Sequence, residues 1–349
     1  MKKFLKVVLC IVLVIAVLAG ALIAWLSIAE YKPDAVVALS VNNPQQGKKL
    51  ELGKELSVIS WNIGYAGLGK ESDFFMDGGK DVKSADKETS ARYLAGIKDF
   101  ILSQQADLVM LQETDVDSHR TYGINQAEAL QQGSWVHALN YSCPFVPYPM
   151  PPMGKINSGL FTTTDYEIES AERIALPCPF SWPVSTANLK RCLLASYMPI
   201  EGSDKQLVLV NLHLEAYDDG EGKIAQTKML REFIEAEYEK GNYVIAGGDF
   251  NQTFPGTLEL FPIVQNDYWV PGVLDDSFLP EGWSFTYDTS APTCRLLNQP
   301  YNETDPSTQH YVIDGFILSP NVELISVENA DLHFENSDHN PVTLKLILK

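Results

Sequence analysis

The sequence predicts an α/β fold: one domain of strands and helices behind a single helix of membrane-spanning length. Three observations carry this expectation. Residues Phe4 to Ile28 are almost all apolar, with Lys2, Lys3 and Lys6 at the start. From Leu56 onward, short apolar runs of strand length are interspersed with longer stretches at helical spacing. The strand-like runs end in, or carry, carboxylates, amides or imidazoles, which places polar chemistry at strand ends.

Composition sets the outer bounds. Hydrophobic residues make up 45% and charged residues 20% of the 349 positions, which are globular values. That length fits one large domain or two ordinary ones. No internal repeat and no second linker divides the chain, so residues 55–349 are expected to form one domain. The formal net charge of -19 argues against a broad basic surface for nucleic acid. It leaves a nuclease open, because a bound divalent metal reverses the local field.

The apolar segment, residues 1–29, reads as a membrane anchor. Its basic end is expected to stay in the cytoplasm, so the domain faces outward. The alternative is a cleaved signal and a secreted protein: Ser27 and Ala29 have the spacing for cleavage, although the apolar run is long for a signal. Residues 30–54 are polar, contain Pro33, Pro44 and Gly47, and read as a tether. Of five cysteines, Cys10 lies in the apolar segment. Cys143, Cys178, Cys192 and Cys294 lack metal-ligand spacing, and remain either paired in one of three ways or free.

The domain starts with a strand, Leu56 to Asn62, followed by a glycine-rich turn from Ile63 to Gly69. Asp73 to Lys83 is polar and reads as a surface loop. Between Glu88 and Gln104, Ala91, Leu94, Ile97 and Ile101 recur at helical spacing, with Thr89 or Ser90 available as a cap. Ala106 to Glu113 is a short apolar run suited to a strand covered on both faces, and it ends in Glu113. A carboxylate there needs a positive partner, either an ion pair or a metal. Tyr122 to Gln132 has helical character.

Tyr141 to Pro152 is dense in proline and aromatic residues. That excludes a regular helix or a central strand, and predicts a stiff apolar loop that forms a substrate wall, a membrane contact or ordinary packing. Leu176 to Pro183 repeats the theme with Phe180 and Trp182. Ser158 to Thr163 reads as a strand. Two more strands, Lys190 to Tyr197 and Gln206 to Leu214, flank a turn at Glu201-Gly202-Ser203. Arg191 opens the first and is a candidate phosphate contact. Asn211 and His213 share one face of the second. Lys223 to Lys240 is an amphipathic helix ended by Gly241-Asn242.

Tyr243 to Asn251 is a strand, a glycine pair, then Asp249 and Asn251 two apart, presenting a carboxylate and an amide to one small target. The glycosylation sequon Asn251-Gln252-Thr253 would put a sugar inside this cluster and is rejected. Tyr311 to Leu318 buries Asp314 among apolar neighbours, where an imidazole is the natural partner. The last strand follows Asp338-His339-Asn340-Pro341. Together these clusters supply oxygen ligands without cysteine, which suit magnesium, manganese or calcium. They also supply two histidines for acid–base work. Metal, base and donors are the requirements of phosphate-ester hydrolysis.

The blocks SWNIG, LVMLQET, LVNLHLE, AGGDFNQT, YVIDGFIL and SDHNPV occur in one order from about Leu56 to the C-terminus. In them the chain resembles the endonuclease/exonuclease/phosphatase superfamily of deoxyribonuclease-like, metal-dependent phosphoesterases. The resemblance implies a four-layer sandwich: two mixed β-sheets face to face, with helices outside. It implies Glu113, Asn62 and Asp338 as the metal site, with Mg2+ as cofactor and Mn2+ or Ca2+ as alternatives. It implies Asp249 for orienting or deprotonating water and Asn251 for a phosphate oxygen. His339, backed by Asp338, would bind phosphate or act as base. His213, backed by Asp314, would stabilise the transition state or protonate the leaving oxygen. Arg191 carries over as a phosphate contact. Substrate stays open: the tether and the Pro/aromatic loops lean toward lipid-type or small phosphoesters, with a surface nuclease and a non-catalytic binding protein as alternatives.

Overall fold

A computed structural model describes residues 1–44, 47–218 and 220–349. The N-terminal helix α1 spans Lys2–Ala29. Two sheets follow. The first has seven strands in the order β1-β6-β7-β8-β9-β15-β12: β1 Val36–Leu39, β6 Ser170–Ala175, β7 Cys192–Pro199, β8 Gln206–His213, β9 Tyr243–Asp249, β15 Asp314–Leu318 and β12 Ser284–Thr286. The second has six, in the order β16-β17-β2-β3-β5-β4: β16 Val322–Asn329, β17 Val342–Leu348, β2 Glu55–Asn62, β3 Leu108–Asp115, β5 Gly154–Thr164 and β4 Ser134–Val146. Short pairs β10 (Gln252–Thr253) with β11 (Gly272–Val273), and β13 (Cys294–Arg295) with β14 (His310–Tyr311), brace the connecting loops.

Strand periodicity explains the layers. In β2, Leu56 and Val58 point one way and Ile59 and Trp61 the other. The first pair joins Met110, Leu209, Ile245, Phe316 and Leu344 in the core between the sheets. The second pair meets Tyr93, Leu94, Ile97 and Ile101 of α2 (Lys87–Gln104). On the far side, Leu230 and Ile234 of α4 (Glu221–Glu239) cover Val208, Val210 and Val244. Each buried aliphatic side chain contributes about 1.5–3 kcal/mol. The expected four-layer arrangement of two mixed sheets flanked by helices is therefore the observed one.

Parallel pairing sets where the polar strand ends go. β2 runs parallel to β3, and β8 parallel to β9, so each pair ends on the same side. β15 and β17 run antiparallel to their neighbours and start at that side. Glycine makes the close pairing of β8 and β9 possible: Gly248 has φ +144, and a Cβ there would lie 1.9 Å from the Leu212 carbonyl oxygen.

Several local expectations change. Asp86, not Thr89 or Ser90, caps α2; its side chain accepts from the Thr89 amide at 2.7 Å, while Ser90 is buried. Only Gln126–Leu130 of the Tyr122–Gln132 stretch is α-helical, as α3. Among the described residues of 30–54, which are 30–44 and 47–54, the chain is not a free tether: β1 pairs with β6, Asn42 bridges Trp135, and Leu50 is fully buried. Tyr141 to Val146 belongs to the edge strand β4. A register shift between Cys143 and Val146 accommodates Pro144, as an edge position permits. All five cysteines are free thiols.

The C-terminal end of α1 docks on the domain. Leu26 is 4% exposed and packs with Tyr141, Cys143, Val146 and Ile156. Trp182 donates its indole N–H to Ser27 Oγ at 3.0 Å, and Lys190 pairs with Glu30 at 2.8 Å. Before Leu22 the helix is exposed and, after Lys2, Lys3 and Lys6, apolar.

Candidate active site

Seven of the eight polar residues singled out at the strand ends, Asn62, Glu113, His213, Asp249, Asn251, Asp338 and His339, line one cavity of about 630 Å³ at the shared end of the two sheets, as does Arg191; the eighth, Asp314, lies behind His339. Asn62 closes β2 and donates to Asp249 Oδ2 at 3.0 Å and to Glu113 Oε1 at 3.3 Å, linking the two sheets. Asp249 closes β9 and faces His213 Nε2 at 3.4 Å and His339 Nε2 at 3.8 Å. Its Oδ1 accepts from the Asn251 amide at 2.8 Å. The Asn251 side chain donates one hydrogen to the Leu214 carbonyl at 2.8 Å, leaving the second for a ligand. His339 is fixed by its own carbonyl, which accepts from the Trp61 indole at 2.8 Å.

Glu113 reaches the cavity through a break in regular pairing. The β3–β5 register shifts between Leu111 and Thr114, and Glu113 takes φ +56. A bulge re-aims a side chain in this way, and the left-handed backbone costs on the order of 1–3 kcal/mol. Ser337 Oγ donates to the Asn62 carbonyl at 2.8 Å and tethers the Asp338-His339 turn to β2.

One expected partnership is corrected. Asp314 serves His339, at 2.8 Å from Nδ1, and not His213. Strand order is the reason. Asp249 pairs with His213 on one side and with Asp314 on the other. His213 and Asp314 are thus two strands apart, roughly 10 Å at ordinary strand spacing. The backing of His339 by Asp338 is likewise not a hydrogen bond, since the closest approach is 3.9 Å. His213 Nδ1 is buried without a partner.

These contacts set the protonation states. Burial, then Arg191 and His339, drives His213 well below the ordinary histidine range, so it is neutral. Burial also opposes charge on His339, but Asp314, Cys294 and Asp338 outweigh it and hold His339 well above that range. Burial and the adjacent Asp314 push Asp249 up to about 7. Burial, with Glu113 nearby, pushes Asp338 up to about 7.

The donor set fits a hard divalent cation. Buried carboxylates crowd the cavity floor, whereas its arginines are engaged elsewhere: Arg120 with Asp115 at 2.9 Å and Arg295 with the Gly69 carbonyl at 2.9 Å. Ligand atoms of Asp249, Asp314 and His339 lie within 4.8 Å of one another. Two of those three residues already share a hydrogen bond, which leaves Glu113, Asn62 and Asp338 as the freer oxygen donors. Arg191 donates to the His213 carbonyl at 3.3 Å and sits 3.6 Å from Glu215.

Sequence reasoning passed over other wall residues. Asp77 belongs to the stretch read as a surface loop, yet it is buried and accepts from Tyr217 at 2.8 Å. Tyr65 is fully buried at φ +41 with the Arg120 guanidinium 3.7 Å over its ring. Arg120 in turn grips Asp115 through two hydrogen bonds of 3.0 and 2.9 Å. Removing one partner of such a buried pair strands the other charge. Arg120→Met is expected to destabilise the fold by about 3–5 kcal/mol in denaturant titration. A loss below about 1 kcal/mol would deny Asp115 its dependence on Arg120.

Comparison with known proteins agrees with this picture. The model of the Endonuclease/Exonuclease/phosphatase family matches residues 59–339. No curated protein matches in sequence. Among solved structures, an endonuclease/exonuclease/phosphatase from Beutenbergia cavernae is 16% identical with TM-score 0.56, over 84% of this chain and 72% of that one. One from Bacteroides vulgatus is 16% identical with TM-score 0.53, over 85% and 100%. Truncated Caenorhabditis elegans TDP2 is 16% identical with TM-score 0.50, over 85% and 99%. At these identities the likeness concerns the fold.

Proposed function

Since the chain belongs to the Endonuclease/Exonuclease/phosphatase family, we propose that it is a divalent-metal-dependent phosphoesterase held at the membrane by α1, with its domain outside the cytoplasm. The observation that carries the reading is the convergence of Asn62, Glu113, His213, Asp249, Asp338 and His339 in one cavity. Glu113, Asn62 and Asp338 would hold the cation, Mg2+ in the first place. When bound, it neutralises charge on the phosphoryl oxygens.

The chain's own residues divide the remaining work. Asp249 orients a water molecule and takes its proton as the water oxygen bonds to phosphorus. The ester P–O bond opposite breaks, the departing oxygen takes up one proton from solvent, and Asp249 returns to solvent the one it took. His339, charged and locked at Nδ1 by Asp314, offers Nε2 to a phosphoryl oxygen. Neutral His213 supports the transition state from the Asp249 side, and the free amide hydrogen of Asn251 reaches another phosphoryl oxygen. Arg191 acts on phosphate through its charge on the cavity wall.

The buried Leu26 favours an uncleaved anchor over a signal peptide. Cleavage after Ala29 would remove Leu26 from its packing with Tyr141 and Val146. The basic residues Lys2, Lys3 and Lys6 set the orientation.

The test is a panel of p-nitrophenyl phosphate, bis(p-nitrophenyl) phosphate and supercoiled DNA, with the full-length protein in detergent. Turnover of a small ester with Mg2+ or Mn2+ is expected to fall at least about 10²-fold in EDTA and to return on adding metal. Turnover that ignores chelation would overturn the metal requirement, and none on any substrate would overturn the enzyme. Preferential nicking of DNA would favour a nuclease.

A further inference from the structure

The anchor helix forms part of the wall of the catalytic cavity. Leu22, Ile23 and Leu26 of α1 line the same space as Asp249 and His339. A membrane protein needs no such contact merely to be tethered; a flexible linker suffices for that.

Helix length places this wall relative to the bilayer. At 1.5 Å per residue, a hydrocarbon core of about 30 Å takes roughly 20 residues. Counting from the end of the basic cluster at Lys6, the apolar run leaves the core near Leu26. The domain residues packed on Leu22 and Leu26, among them Val146, Met153 and Leu189, are then level with the outer lipid boundary. The side of the cavity lined by Leu22, Leu26, Val146, Met153 and Leu189 is at that level too.

Tyr148 and Val184, which line the cavity, and Met150 and Trp182, two residues from them in the chain, are the side chains such a position calls for. Met150 is 83% exposed, Tyr148 67%, Trp182 65% and Val184 57%. They belong to the two proline-rich loops that flank the end of α1, and Trp182 bonds α1 directly. Tryptophan and tyrosine favour the lipid headgroup level. Exposed apolar side chains clustered beside an anchor have lipid as their natural cover. The cavity is thus lined in part by apolar side chains at the level of the bilayer, and in part by the carboxylates and imidazoles proposed to work on phosphate.

Resting on the phosphoesterase reading, we propose that the substrate is a phosphate ester of a bilayer lipid, drawn sideways from the leaflet in which α1 ends. Its chain lies along Leu22, Leu26, Tyr148 and Met153, and its phosphate reaches Asp249 and His339. A soluble phosphoester would leave the apolar half of the cavity unfilled. A nucleic acid would have to bring its polyanionic backbone against a domain of strong negative charge.

The experiment uses full-length protein reconstituted into vesicles of phosphatidylcholine, phosphatidylglycerol and phosphatidic acid in equal parts, with Mg2+. Release of soluble phosphate or phosphorylated headgroup is followed beside hydrolysis of bis(p-nitrophenyl) phosphate and p-nitrophenyl phosphate in the same sample. Long-chain lipid is expected to exceed its dibutyryl analogue in kcat/KM by at least about tenfold. Met150→Asp and Trp182→Asp, each made alone, are expected to lower the ratio of lipid to soluble-ester turnover at least about fivefold. Soluble-ester turnover without lipid turnover, or a ratio that neither variant moves, overturns lipid as the substrate and leaves the phosphoesterase standing. Silence toward every ester overturns both.

Discussion

Asp249→Asn is expected to lower kcat on a soluble phosphate ester by at least about 10³-fold while making the metal-free protein more, not less, resistant to heat. The two effects have one cause. Asp249 is 1% exposed and lies one strand from Asp314, so its negative charge is unwelcome. Burial and Asp314 hold its carboxyl at about 7 rather than near the unfolded value of 3.8. Between those values the folded chain binds the proton more tightly than the unfolded chain. Stability contributed by Asp249 therefore falls as pH rises from about 4 to about 7. Asparagine keeps the shape and can hold hydrogen bonds to Asn62 and Asn251, but carries no charge and accepts no proton. The stability gap between variant and wild type in EDTA should thus widen across that pH window and narrow when Mg2+ is added. Thermal unfolding at pH 5 and pH 8, with and without metal, reads this directly. Retained activity, or a variant that unfolds earlier at pH 8 in EDTA, would remove Asp249 from the role assigned to it.

Much of this site was visible in the sequence because it lies where strand periodicity stops. Asn62, Glu113, His213 and Asp249 each end or nearly end an apolar run, Asp314 interrupts one, and His339 lies just before another. A reader who finds the strands finds those positions. The partnerships were not visible, because they depend on strand order. Nothing in Tyr311 to Leu318 tells that β15 lies beside β9 and one strand further from β8. Asp77 was illegible for another reason. It lies in a polar, glycine-rich stretch without period, and its burial depends on Tyr217, which comes 140 positions later. Leu26 could not be told from any other leucine in a uniform apolar run; only the packing of Tyr141 and Val146 against it separates them. β1 was lost because a four-residue edge strand, half-exposed along its length, leaves no alternating pattern.

The corrected partnership leads to the second large effect, Asp314→Asn. Asp314 does not reach the reacting atoms; it is a positioning residue that holds His339 by Nδ1 at 2.8 Å. Without its carboxylate, only Cys294 and Asp338 remain to oppose burial, and the His339 imidazole should fall from well above the ordinary histidine range. A neutral His339 loses its charge-assisted bond to the phosphoryl oxygen, and turnover at pH 7 should drop by about 10²-fold. The raised His339 proton affinity stabilises the fold fully below about 6.5, and this contribution is lost as pH rises through the folded value. Wild type and Asp314→Asn should therefore differ most in this contribution on the acidic side and converge in it above. Nitrogen-15 NMR of labelled histidines separates the two imidazoles: the His339 titration should collapse in Asp314→Asn, while His213, already neutral and facing Asp249, should stay as it was. If the substitution instead shifts His213 and leaves His339 titrating high, the carboxylate serves the other imidazole, and the order of β8, β9 and β15 no longer explains the chemistry.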